Sequence, residues 1–233
     1  MKNSNYISVI IPAINEEASI GRVIDDIPGW VDETLVVDNG STDRTVEIAE
    51  EKGARVIHQP ERGYGAACLA GIDALNPNCN IVVFLDGDYS DFPDEMNLLV
   101  DPIIENRAEM VIGSRIANAS PGALTPQAIF GNWLSCRLMK LFWGVNYTDL
   151  GPFRAIRRAA LEKLNMRDRN YGWTVEMQIK AALRNIRELE IPVRYRKRGG
   201  GKSKVSGNIR GVIGAGVKIL AVIFRSAIEK RET

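Results

Sequence analysis

Apolar residues in the first half of the chain come in short unbroken runs. Each run is followed by a stretch in which apolar positions recur every three to four residues. Tyr6–Ile11 is such a run, rich in β-branched residues, and reads as a buried strand. Glu16–Ile27 reads as a helix stopped by Pro28-Gly29, and Thr34–Val37 as a second strand. Ser41-Thr42-Asp43 caps a helix that runs through Glu51 and closes at Gly53. Ala54–His58, Gly65–Leu75, Ile81–Leu85 and Pro93–Asn106 continue as strand, helix, strand and helix, and Val111–Ile112 ends a fifth strand. Strands that are apolar throughout and separated by helices predict an α/β fold with a mostly parallel sheet, Rossmann-like, covered by helices on both faces.

The second half is less regular. Ile116–Thr125 is small and polar and is expected to be a mobile loop. Gln127–Phe142 has a strong helical pattern, Asp149–Ile156 reads as a strand crossing, Thr174–Leu183 as a helix and Ile186–Ile191 as a strand. Arg194–Gly207 is a basic, glycine-rich loop, and Asn208–Lys230 a long helix with one wide apolar face and basic flanks. The pattern divides the chain into a body, residues 1–207, and an amphipathic helix, residues 208–233.

Composition narrows the class. With 233 residues, 45 % hydrophobic and 25 % charged, the chain suits one globular domain, not collagen, wholesale disorder or a polytopic membrane protein. The net charge of +1 predicts no nucleic-acid partner, but it is unevenly spread. Residues 194–233 carry 11 Lys+Arg against 2 Glu, a net of +9, so the preceding 193 residues carry −8. A basic tail on an acidic body is expected to meet something anionic. Cys68, Cys79 and Cys136 have no paired spacing, and His58 is the single histidine; this fits a reducing, cytoplasmic compartment and no Cys/His zinc site. The apolar run near the N-terminus is too short for a signal peptide. No stretch reaches the roughly 18 uncharged apolar residues of a membrane-spanning helix.

In parallel sheets ligands bind beyond the C-terminal ends of the strands. Here those ends read Pro12-Ala13-Ile14-Asn15-Glu16-Glu17, Asp38-Asn39-Gly40-Ser41, Asp86-Gly87-Asp88 and Gly113-Ser114-Arg115. Carboxylates, glycines and one arginine therefore collect on one edge. Asp86 and Asp88, one residue apart after a buried strand, suit a hard divalent cation shared with phosphate oxygens. Gly63-Tyr64-Gly65-Ala66-Ala67 opens a helix, and its glycines permit close approach of another backbone or of a ligand.

P-A-I-N-E-E, V-V-D-N-G-S-T-D, G-Y-G-A-A, D-G-D and G-S-R, in this order, resemble the family 2 glycosyltransferases of GT-A fold. D-L-G-P-F-R-A at 149–155 and R-K-R-G-G-G-K-S-K at 196–204 resemble the dolichyl-phosphate mannose synthase branch, so the resemblance spans about residues 6–205. It implies that residues 1–207 are the catalytic domain. Pro12, Ala13, Asn15 and Glu16 would line a nucleotide pocket, Asp38 would hydrogen-bond the base, and Asp86 and Asp88 would hold Mg²⁺ or Mn²⁺ against the diphosphate. Ser90 stands where relatives often carry a glutamine as a further metal contact, and Asn39 where many carry a second aspartate. Arg115, Arg198, Lys202, Ser203 and Lys204 would receive the acceptor phosphate, the basic loop closing over it as a lid. Relatives also place an arginine for that phosphate in the stretch between Ile116 and Cys136, which here holds no Lys or Arg.

The resemblance implies an inverting transfer of a hexose, mannose or glucose, from a GDP- or UDP-sugar to a polyprenyl phosphate. A phosphate acceptor is already anionic and needs no general base. A hydroxyl acceptor, soluble or on another lipid, would need one, and Asp149 or Glu176 would be the candidates. A sugar-1-phosphate nucleotidyltransferase would carry a G-x-G-x-R type loop after the first strand, which is not found here. A non-catalytic nucleotide-sugar binder would have lost the D-x-D, which is intact. The tail helix, and Gln127–Phe142 with Trp133 and Trp143, are expected to make peripheral contact with the cytoplasmic face of a membrane.

Overall fold

The protein's structure, a computed structural model, describes residues 1–200 and 209–231. Seven strands are found: β1 (Tyr6–Ala13), β2 (Glu33–Asp38), β3 (Arg55–His58), β4 (Cys79–Phe84), β5 (Met110–Ala119), β6 (Arg154–Arg157) and β7 (Glu188–Tyr195). They form one sheet in the order β3-β2-β1-β4-β6-β5-β7. All run parallel except β6, which is antiparallel to both β4 and β5. The helices are α1 (Ile20–Asp25), α2 (Thr45–Glu51), α3 (Tyr64–Asp73), α4 (Met96–Ile104), α5 (Pro126–Trp143), α6 (Arg158–Leu164), α7 (Trp173–Leu183) and α8 (Ile209–Arg231).

Strand alternation sends β1 side chains into two cores. Ile7, Val9 and Ile11 pack with α1, α2 and α4 on one face, while Ile10 packs with α3, α6 and α7 on the other. The expected parallel sheet with helices on both faces is what the chain forms. Full burial of such side chains contributes about 1.5–3 kcal/mol each. A third, smaller core joins Cys136 and Met139 of α5, Val175 and Ile179 of α7 and Ile223 of α8.

Three expectations are corrected. Ile116–Ala119 is strand, not mobile loop: after a bulge β5 resumes its pairing with β7 at Asn118 and Ala119, although the residues there are small and polar. The crossing at Asp149–Ile156 becomes strand only from Arg154. The stretch predicted as a helix from Glu16 begins it only at Ile20; Glu16–Ser19 is a turn in which the Glu16 carbonyl accepts the Ser19 and Ile20 N–H groups. Helix α5 ends as its sequence signals. Thr125 caps its start by accepting the Ala128 N–H, Pro126 occupies the first position, and Gly144 closes it with φ 76°.

Helix α8 docks through Ile223 and Ala227, both buried, while Val217, Phe224 and Ile228 on its opposite side are exposed. Its neighbour α5 likewise exposes Ile129, Phe130, Trp133 and Leu141. Among the described residues no helix is long and apolar enough to cross a membrane.

Candidate active site

The C-terminal ends of β1, β2 and β4 open into a cleft of about 700 Å³. Pro12, Ala13, Glu16, Asp86, Asp88 and Arg198 of the predicted site line it, as do Asn39 and Ser90. The β1 and β2 loops are laced together. Asn15, at φ 50°, accepts the Thr42 N–H through Oδ1 (2.8 Å), and Thr45 Oγ1 accepts the Glu16 N–H (2.7 Å). Asn15 is thus a brace for the loop and does not itself line the cleft.

Asp38 is buried and turned on its own loop: Oδ1 accepts the Ser41 N–H (2.9 Å) and Oδ2 the Gly40 N–H (3.3 Å), with His58 Nδ1 at 3.4 Å. Burial acts to raise its pKa, but these bonds hold it below the ordinary carboxylate value. It lies behind the cleft wall. Asn39, at the position where relatives carry a second aspartate, ties β2 to the next loop. Its amide donates to the Gln59 and Glu61 carbonyls, and its Oδ1 accepts the Gly63 N–H (2.8 Å).

Asp86 and Asp88 stand at the cleft floor. Burial, and then the Asp88 charge, push Asp86 up to about 7, while Tyr64 donates its hydroxyl to Oδ1 (3.0 Å). Asp91 is buried beside them with both carboxylate oxygens lacking a hydrogen-bond partner. Desolvation and the Asp86 charge raise it well above the ordinary range. Among the described residues no cluster of three or more His, Cys, Asp or Glu converges on one metal position. Two carboxylates in a polar cleft, one destabilised as an anion by the other, nevertheless fit a hard divalent cation completed by water and phosphate oxygens.

Arg198 reaches the cleft from the far end of the chain. Its Nη2 donates to both Glu16 carboxylate oxygens (2.7 and 2.6 Å), and Nη1 lies 3.7 Å from Asp88. The Gly199 N–H donates to the Asp88 carbonyl (2.8 Å), and Arg22 donates to the Gly199 carbonyl (2.7 Å). The start of the basic loop is therefore anchored over the D-G-D turn. Lys202, Ser203 and Lys204 lie outside the described residues.

Arg115 and Asp149 do not line the cleft. They form a bidentate pair at 2.8 Å with Asp149 fully buried, and Asp149 also accepts the Arg115 and Leu150 N–H groups. Burial opposes the Arg115 charge, but Asp149 more than compensates and raises its pKa. Glu176 accepts the Arg167 and Asp168 N–H groups and pairs with Lys180, on a different surface. Neither carboxylate is placed to serve as a base in the cleft.

The sequence reading passed over Arg62, Tyr64, Tyr171, Tyr195 and Lys197, which also line the cleft. Tyr64 stood inside the G-Y-G-A-A motif, where the glycines drew attention. A β-carbon on Gly63 or Gly65 would come within 2.1 or 2.0 Å of the Arg169 or Asp168 carbonyl. The close approach is thus made by the backbone of residues 168–170, and Tyr171 follows it into the cleft.

Residues 8–165 match the family model described as Glycosyl transferase family 2. The chain belongs to that family of glycosyltransferases. It is 36 % identical over 200 residues to a dolichyl-phosphate hexose transferase of Haloferax volcanii, covering 83 % of this chain and 84 % of that one. It is 30 % identical over 226 residues to the undecaprenyl-phosphate mannosyltransferase of Micrococcus luteus, covering 87 % and 88 %. Among solved structures, glucosyl-3-phosphoglycerate synthase of Mycobacterium tuberculosis, in complex with Mn²⁺, UDP-glucose and phosphoglyceric acid, superposes with a TM-score of 0.75 at 26 % identity. That match covers 96 % of this chain and 80 % of the other. These likenesses support the dolichyl-phosphate mannose synthase-like branch and the GT-A fold.

Proposed function

We propose that the cleft transfers a hexose from a nucleoside diphosphate sugar to a polyprenyl phosphate with inversion at the anomeric carbon. The observation that carries this is the joining of Asp86, Asp88, Glu16 and Arg198 in one cleft, a carboxylate floor under an arginine from the basic loop. The names of the polyprenyl-phosphate relatives support the acceptor. Pro12, Ala13 and Glu16 would face the nucleotide, with Asn15 and Asp38 fixing the loops behind it. Asp86 and Asp88 would hold Mg²⁺ or Mn²⁺, the latter bound in the solved relative. A bound divalent ion neutralises the nucleoside diphosphate as it leaves.

The other roles fall to side chains. Arg198, released from Glu16, would grip phosphate oxygens in a fork geometry, with Lys202, Ser203 and Lys204 completing the lid. Arg115, held rigid by Asp149, orders the end of β5 and acts as a positioning residue. A phosphate acceptor attacks as an anion, which suits a cleft whose carboxylates are committed to metal and to Arg198. Residues 1–207 would form the catalytic unit, with the helix beyond it bringing the enzyme to the cytoplasmic face of a membrane as a peripheral protein. Three free, buried cysteines accord with a reducing compartment.

The test is product analysis with GDP- and UDP-hexoses, polyprenyl phosphate and Mn²⁺, comparing wild type with Asp88→Asn. The expected result is a polyprenyl-phosphate hexose, with turnover reduced by about 10³-fold or more in the variant, the scale of one lost transition-state electrostatic contact. Near-wild-type turnover would remove Asp88 from the metal site. Transfer only to a soluble phosphorylated acceptor, the kind bound in the solved relative, would replace the acceptor.

A further inference from the structure

A second concavity, of about 600 Å³, lies along the outer side of α7 where α8 packs against it. Its charged lining is lopsided: Arg167, Arg169, Lys180, Arg184, Lys218 and Arg225 against Asp168 and Glu176, a formal +4. Both acids are already occupied. Glu176 accepts the Arg167 and Asp168 N–H groups (3.1 and 2.8 Å) and pairs with Lys180 (2.6 Å). Asp168 accepts the Asn170 and Gly172 N–H groups (2.7 and 3.1 Å), with Lys218 Nζ 3.9 Å away. These carboxylates brace the turn before α7 and leave the groove net positive.

The placement of the cations follows from helix spacing. Lys180 and Arg184 stand four apart on α7; Lys218, Val222 and Arg225 fall on one stripe of α8. Docking α8 through Ile223 and Ala227 brings the two basic stripes to opposite walls of one groove. Like charges confronting each other across a concave surface repel, and the walls focus their field on whatever enters.

We propose that this groove is a phosphate-binding site separate from the cleft. Two arginines offer forked donors for phosphate oxygens, and lysines supply point charges. The volume exceeds one phosphate and admits the organic group that carries it. The phosphate is either the headgroup of an anionic lipid or part of a soluble molecule. The inference stands independently of the reaction assigned to the cleft.

Inorganic pyrophosphate is the probe, titrated calorimetrically in EDTA, where the metal-free carboxylates of the cleft repel it. Wild type is expected to bind, and Arg184→Gln/Arg225→Gln to bind at least tenfold more weakly with an unchanged melting temperature. Lys218→Gln should weaken binding several-fold, and Arg198→Gln, in the cleft, should leave it unaltered. Wild-type affinity in the double variant, or no wild-type binding at millimolar pyrophosphate, would overturn the proposal. Flotation with phosphatidylglycerol vesicles, against phosphatidylcholine, separates the sources. Loss in the double variant identifies a lipid headgroup, while unchanged flotation with weakened pyrophosphate binding identifies a soluble phosphate.

Discussion

Glu188 on β7 shows how one buried side chain ties stability to pH. Tyr147 donates its hydroxyl to Oε2, while Oε1 has no partner. Desolvation pushes the carboxyl up to about 7, against the pull of the Tyr147 bond and the Arg154 charge, with Glu190 adding repulsion. The folded state therefore holds this proton through a range where the unfolded chain, near 4.5, has lost it. Stability from this group is full below the unfolded value and falls as pH rises towards 7, because the native state binds more protons there. Glu188→Gln removes the titration. Its melting temperature should stay flatter than wild type between pH 4.5 and 7 and exceed it above pH 7.5. Parallel curves for the two proteins would show that Glu188 is not the group responsible. The buried Arg154 beside it donates to the Gly151, Leu150 and Thr174 carbonyls, so a charge that the sequence shows only as part of D-L-G-P-F-R-A serves to hold a turn.

At the scale of elements, what could be read depended on how local the signal was. The strands β1, β2 and β4 announced themselves because burial on both faces demands unbroken apolar runs, and the acidic turns after them marked the cleft edge. β6 gave no such sign: it is four residues long, begins and ends in arginine, and exists because β4 and β5 accept it from either side. α6, directly after it, was missed for the same brevity. The meeting of residues 168–171 with the start of α3 was equally invisible, being a contact between segments about a hundred residues apart. The Ala66 N–H donates to the Arg169 carbonyl (2.9 Å) and the Gly65 N–H to the Asn170 carbonyl (3.3 Å). Gly65→Ala would force its methyl against backbone, which cannot yield as a side chain can. We expect a loss of about 1–3 kcal/mol in stability, the usual cost of overpacking. Nucleotide affinity should also weaken, because Tyr171 and Tyr64 lose their placement. Denaturant unfolding together with nucleotide titration checks both; an unchanged midpoint would mean the loop does not dock there.

On the scale of the whole molecule, charge and apolar surface are both unevenly distributed. The residues from Arg194 onward carry +9 against −8 for the rest. Helices α5 and α8, in contact through Phe142 and Phe224, each turn an apolar stripe outward. Trp133 is 54 % exposed and Phe130 61 %, the two rings 5.9 Å apart. Water-facing aromatics on neighbouring helices beside a basic tail are the arrangement of a protein that lies on an anionic bilayer. Removing the tail at Gly207, an obvious test from sequence, would also strip Ile223 and Ala227 from the core they share with Met139, Val175 and Ile179, and would produce aggregation whatever the membrane role. Exposed positions give the cleaner experiment. Trp133→Ser/Phe224→Ser should leave folding and nucleotide binding unchanged, since both side chains are about half exposed. Apolar insertion contributes about 1.5–3 kcal/mol for each fully buried aromatic, and each basic residue near an anionic surface about 1 kcal/mol. Wild type should therefore float with phosphatidylglycerol vesicles, less so as salt rises, and the double variant should bind at least tenfold more weakly. Equal flotation of the two proteins, or none by wild type at low salt, would refute the membrane-facing role of α5 and α8 and favour a soluble acceptor for the cleft.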